Sequence, residues 1–239
     1  FRSSASGLAS IATAAELGFK ASDFRTGPLS ICTPGVLAGI IELWLYGGSL
    51  PFAELIAPAI RLASEGFEVN YTFASSCGGS YDVLLENAPG FLKEGLFAWE
   101  AGDIATNPEL AETYKYLAEN GPQAFYNGTL ADKIDALMQS RGGLLRKSDL
   151  VNYRALVKTP LHGTYREYDL FVPGIPVGGP YLLETLNILE HFNLSAFAWD
   201  DPLVMNIINQ ALTFAMIDLL SYSGDPAYVY VPVETLISK

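Results

Sequence analysis

Cysteine and histidine are scarce in this chain: Cys32 and Cys77, His162 and His191 are the whole supply in 239 residues. Two thiols make no disulfide framework, and two imidazoles add too little for a tetrahedral metal site, so a structural metal is not expected. Basic residues are also few, 14 against 26 acidic ones for a formal charge of −12. A phosphate backbone would be repelled, and with no run of Lys and Arg to form a stripe, nucleic acid is excluded as a partner. Long uncharged runs are lacking too. The longest near the C-terminus, PLVMNIINQALTFAMI, carries three amides and stops at Asp218. It falls short of the roughly 20 apolar residues of a membrane span and reads as a buried helix.

What is abundant is apolar material, half the chain, with an eighth aromatic, enough for a substantial core. Residues 1–239 are read as one domain, mixed α and β and mostly helical. Proline behind a capping or turn residue marks five helix starts, at Pro34, Pro51, Pro108, Pro180 and Pro202. Pro58 is expected to kink or divide the second of these, and Gly47, Gly66, Gly121 and Gly142 to end helices. A further amphipathic helix runs from Thr129 to Arg141 on the stripe Leu130, Ile134, Leu137 and Met138. Two β segments are predicted between residues 154 and 173 with a break at His162–Gly163, and another near 229–233. Residues 75–106 read as a Gly-rich irregular region.

Few of these residues suggest chemistry. His162 and His191 read as structural histidines. Cys32 precedes a helix start, a setting that lowers a thiol pKa, but with no base beside it the cysteine reads as a small buried hydrophobe. The Gly-Gly-Pro at 178–180 could bind an anion, yet its spacing is neither a Walker loop nor a dinucleotide fingerprint, and tight turning accounts for it. The carboxylate pairs Asp200–Asp201 and Glu65–Glu68 read as helix-end acids. Three sequons, at Asn70, Asn127 and Asn193, are candidate glycosylation sites. The chain thus reads as a scaffold without a catalytic constellation, and its last residues, SGDPAYVYVPVETLISK, as new structure beginning.

Three stretches carry a resemblance: TPGVLAGIIELWLYGGSLPFAELIAPAIRLASEGFEV, then LAETYKYLAENGPQAFYNGTLADKIDALMQSRGGLLRKSDLVNYRALVKTPLHGTYREYDLFVP, then LNILEHFNL with the closing SGDPAYVYVPVETLISK. In order and spacing the chain resembles the large subunit of a gamma-glutamyltransferase (gamma-glutamyl transpeptidase), from about Cys32 onward. The resemblance implies an N-terminal-nucleophile hydrolase fold, an α+β αββα sandwich of which this chain is the mostly helical large-subunit part. It implies a self-cleaving precursor whose catalytic Thr opens a small subunit, so that this chain is the first half and holds no catalytic residue. The new amine would activate the Thr hydroxyl, and a glutamyl ester would pass the glutamyl group from glutathione or another gamma-glutamyl donor to water, an amino acid or a dipeptide. No metal or organic cofactor is implied.

The same resemblance gives Arg25, in SDFRTG, the role of clamping the donor's α-carboxylate, for which a planar guanidinium is suited. Thr26 stands where the family has Glu. The family's glycine-rich N-terminal motifs are not found in FRSSASGLASIATAAELGFKAS, and Asn206, Gln210 and Asp218–Leu219 replace its His, Glu and Asp-Arg. These departures leave a catalytically silent, ligand- or partner-binding homologue as the alternative. Asn127 within FYNG implies a glycosylated, secreted or cell-surface protein.

Overall fold

The computed structural model describes residues 5, 7–9 and 11–239, which fall in two compact units, 1–156 and 157–239. Residues 1–4, 6 and 10, within the stretch that lacks the family's N-terminal motifs, lie outside the described residues.

The first unit is a succession of helices: α1 (Ile11–Glu16), α2 (Val36–Gly47), α3 (Phe52–Glu65), α4 (Tyr71–Gly79), α5 (Tyr81–Asn87), α6 (Pro108–Asn120), α7 (Ala124–Asn127), α8 (Thr129–Ser140) and α9 (Lys147–Asn152). Two short strands, β1 (Phe67–Glu68) and β2 (Ile104–Ala105), pair antiparallel with Phe67 opposite Ala105. Gly66 feeds β1 at φ +94°, and a Cβ there would lie 2.5 Å from Ile104 Cγ2, so the turn demands glycine. The core of this unit gathers Ile41, Tyr126, Ala131 and Leu150, with Leu37, Phe125, Ile134 and Tyr153 packed around them.

Proline punctuation held at Pro108, Pro180 and Pro202, each within the first two helical positions. At α2 and α3 the helix starts later: Gly35 and Pro51 are the N-caps, leaving Pro34 ahead of the helix. Pro58 does not divide its segment. The helix α3 runs unbroken through it for 14 residues, because a single lost N–H bond is outweighed by the packing of the remaining turns. The expected irregular region, 75–106, contains the end of α4, all of α5 and β2. In α8 Ala131 and Met138 are buried, whereas Leu137 is exposed.

The second unit is built on a β-hairpin, β3 (Leu161–Tyr165) and β4 (Tyr168–Val172), followed by α10 (Gly179–Glu190), α11 (Pro202–Tyr222) and the short α12 (Val233–Leu236). The hairpin turns at Arg166–Glu167 and not at His162–Gly163, which lie inside β3. Arg166 takes the left-handed φ of +54° that the two-residue turn requires, while Gly163 admits the Leu183 side chain, whose Cδ2 would be 2.7 Å from any Cβ placed there. Residues 229–233 form no strand: the chain turns there and enters α12.

The helix α11 departs from expectation as well. It is 21 residues long with a mean hydropathy of 1.6 in its most apolar window, long and apolar enough to cross a membrane by length and composition. Only Val204, Ala211 and Ala215 are buried, so within the described residues it is no core helix. Leu203, Phe214, Ile217 and Leu220 stand exposed along it.

Candidate functional site

Arg25 closes a 3-10 turn, Ala21–Phe24, as its C-cap, donating its backbone N–H to the Ser22 carbonyl at 3.2 Å. The turn is stabilised by Asp23, whose carboxylate accepts from the Lys20 backbone N–H at 2.9 Å and the Ser22 hydroxyl at 3.2 Å. Asp23 is therefore occupied with the backbone. The Arg25 side chain is exposed, and no hydrogen bond or ion pair among the described residues engages its guanidinium. A free guanidinium on an anchored turn can take a carboxylate bidentately.

Downstream, Thr33-Pro34-Gly35 leads into α2 with Thr33 fully buried. The Tyr126 hydroxyl donates to the Pro34 carbonyl at 2.7 Å and accepts the Ala38 backbone N–H at 3.0 Å. Ala38 carries one of the N–H groups that a helix leaves unpaired in its first turn, so one phenol caps the helix and fixes the turn before it. Burial pushes the Tyr126 phenol up from its usual value, which keeps the proton that the Pro34 bond needs. Phe125 packs edge-on against Tyr126 at 5.0 Å, and Tyr153 stacks on it at 6.0 Å. The phrases TPG and AFYNG are thus joined in space by one side chain.

The other candidates stand apart. Asn70 is the N-cap of α4, its side chain accepting from Phe73 N–H at 2.8 Å. Asn127 ends α7, and Asn193, which accepts from the Ser195 hydroxyl at 2.8 Å, follows α10. All three are exposed. His162 is no turn residue: its Nε2 lies 2.7 Å from Asp169 Oδ1 across the exposed face of the hairpin. His191 is the C-cap of α10. Cys32 is exposed rather than buried, and Cys77 is buried in α4. Asp201 caps α11 through Leu203 N–H at 2.8 Å, but Glu65 sits at the C-terminal end of α3 and Glu68 in β1, so neither caps a helix N-terminus. Gly179 explains the Gly-Gly-Pro turn: a Cβ there would come within 1.8 Å of the Pro173 carbonyl oxygen.

A carboxyl pair that sequence reasoning missed lies in the second unit. Glu184 of α10 and Asp218 of α11, both partly buried, line the wall of one cleft of about 690 Å³. Burial first, then Asp218, pushes the Glu184 carboxyl up to about 7. The partners are separated by 34 positions in the chain, and no local spacing signals them.

A family model described as gamma-glutamyltranspeptidase matches residues 1–239. The chain belongs to that family. Among gamma-glutamyltranspeptidase relatives, the glutathione hydrolase proenzyme of Escherichia coli (strain K12) is 36% identical over 219 residues, covering 90% of this chain and 38% of that protein. The acylase ACY 1 proenzyme of Pseudomonas sp. (strain V22) is 34% identical over 217 residues, 89% of this chain and 39% of its own length. The crystal structure of Helicobacter pylori gamma-glutamyltranspeptidase superposes with a TM-score of 0.93 at 29% identity, covering 100% of this chain and 70% of that one. The chain therefore carries the mostly helical large-subunit part of the N-terminal-nucleophile hydrolase fold. It spans under two-fifths of the length of these two curated relatives. The described residues hold two two-stranded sheets and not the stacked pair of the full sandwich.

Proposed function

We propose that this chain is the large-subunit part of a gamma-glutamyltransferase. In this reading the nucleophilic Thr, with its own amine as base, is supplied by a small subunit from the same precursor, and a gamma-glutamyl amide is opened through a glutamyl ester. The single observation that carries the reading is the match to the family along all 239 residues. The outward apolar side chains of α11 support a further polypeptide seated on that helix, since an apolar surface of this kind is normally covered. Water, an amino acid or a dipeptide takes the glutamyl group. Because an acylase is among the relatives, the donor lies either among glutathione-like compounds or among other acyl amides.

Within this reading Arg25 clamps the α-carboxylate of the donor, an assignment supported by the exposure of its side chain, which has no partner among the described residues. The complete two-chain protein should release the aniline from a chromogenic gamma-glutamyl anilide. No release with a correctly processed Thr present would overturn the reading in favour of a silent homologue. Arg25→Ala should raise KM roughly 10- to 100-fold with a much smaller change in kcat, the loss of a charged hydrogen-bonded pair, and Arg25→Lys should recover part of it. Equal kinetics for wild type and Arg25→Ala would remove Arg25 from the site.

The exposure of Asn70, Asn127 and Asn193 supports a secreted or cell-surface glycoprotein. Protein from its native source should lose mass at these asparagines on treatment with a peptide N-glycosidase; an unchanged mass would rule out this localisation argument.

A further inference from the structure

We propose that the groove between α10 and α11 is the seat of the small subunit: a large apolar side chain of that polypeptide fills the groove, and its backbone lies along the uncharged outward face of α11. The seat rests on the two-subunit reading above and adds to it where, and by what chemistry, the second polypeptide is held.

The groove has a volume of about 320 Å³, and its apolar walls are Ile188 and Phe192 of α10 and Leu203, Ile207 and Phe214 of α11. Phe214, 57% exposed, opens onto the exposed Ile217 and Leu220, three and six positions further along the helix. From Pro202 to Ile217 the chain carries no charged side chain, although its net charge is −12. The centres of protein interfaces are depleted of charge in this way, and binding energy concentrates where a pocket receives a large apolar side chain. At the rim of the groove the Gln210 side-chain amide donates to the Asn206 side-chain oxygen at 3.1 Å. That bond leaves the Asn206 nitrogen as a donor and the Gln210 oxygen as an acceptor, the one donor and one acceptor that a peptide unit can match.

The same chemistry selects the occupant. Lipid tails offer no partner to Asn206, Asn209 and Gln210, three exposed amides in the middle of the helix, and a polar group left bare in hydrocarbon is costly. A second copy seated on α11 alone gains too little: a helix face roughly 30 Å long and 10–12 Å wide covers roughly 350 Å², under half of the about 800 Å² that each partner of a stable interface buries. A polypeptide made in the same precursor meets the groove intramolecularly, so this face need not hold it unaided. The family has the chain length to supply one, since residues 1–239 match the family model throughout yet span 38% of the Escherichia coli relative and 70% of the Helicobacter pylori chain.

The test is photo-crosslinking of the complete protein with a benzophenone amino acid in place of Phe214, the attachment points being mapped by mass spectrometry. Crosslinks to residues outside 1–239 are expected, in the precursor and in the processed protein alike. Crosslinks confined to residues 1–239, crosslinks to lipid, or none would overturn the seat. Phe214→Glu places a charge in the groove and should raise the dissociation constant of the two subunits about 100-fold. Leu137→Glu on α8, at a comparably exposed leucine, should leave it unchanged. Equal dissociation for wild type and Phe214→Glu would also overturn the seat; should that variant fail to fold, the crosslinks decide. The two proposals fail separately: crosslinks outside 1–239 without aniline release overturn the glutamyl chemistry alone, and aniline release without such crosslinks overturns the seat alone.

Discussion

Replacing Tyr126 by Phe removes one oxygen and leaves everything else about the ring in place. The packing against Phe125 at 5.0 Å and Tyr153 at 6.0 Å is kept, so the change isolates the two hydrogen bonds to Pro34 and Ala38. Tyr126 is only 8% exposed, which leaves water little access to the groups set free. Each such bond contributes about 1 kcal/mol net, and a buried group left without a partner costs ~1–3 kcal/mol, so a loss of about 2 kcal/mol is expected. For a chain of this size that corresponds to a midpoint roughly 4–8 °C lower, and to a proportionally smaller shift in the complete two-chain protein. The assay is thermal unfolding of the complete protein, with amide exchange at Ala38 as the local readout. Tyr46→Phe, at a residue 93% exposed, is the matched control and should be neutral. An unchanged midpoint together with unchanged exchange at Ala38 would refute the claim that this phenol caps α2. Loss of midpoint without faster exchange at Ala38 would place the effect elsewhere.

Gly179→Ala should be destabilising by about 3 kcal/mol or more, since its Cβ would meet the Pro173 backbone and not the end of a flexible side chain; urea unfolding checks this, and a cost under about 1 kcal/mol would contradict the close approach. Asp103 accepts from Lys93 at 2.7 Å and from Glu100 N–H at 2.9 Å, and these bonds, Lys93 first, hold its carboxyl below the usual 3.8. Its contribution is therefore present above about pH 3.8 and lost as pH falls through the lower folded value, so Asp103→Asn should flatten the acid limb of exchange protection around residues 93–103.

Much of the helical framework was legible because proline and glycine act through local geometry. Pro108 and Pro202 need no information from distant residues to start α6 and α11, and Gly66 and Gly121 end helices by adopting positive φ. The hairpin was misplaced because Gly163, read as a turn, is there to receive Leu183, while the turn itself uses an arginine. The exposure of α11 could not be read at all, since composition states that a helix is apolar and not what lies against it. Glu184 and Asp218 escaped for a related reason: that they line one cleft depends on how α10 and α11 pack. Arg25 was found only through the family's phrase, and the structure adds that its turn is anchored by Asp23.

The seating of α10 on the hairpin has a mechanical consequence. Gly179 lies against Pro173 at its first turn, Leu183 against Gly163 in its middle, and Glu190 takes Arg166 N–H at its end. Three points spread along a rod, each intolerant of sliding, leave helix and hairpin no independent travel. A push delivered to any part of α10 is therefore borne by the hairpin as well, and the compliance of this unit resides in what leans on the rod from its other side.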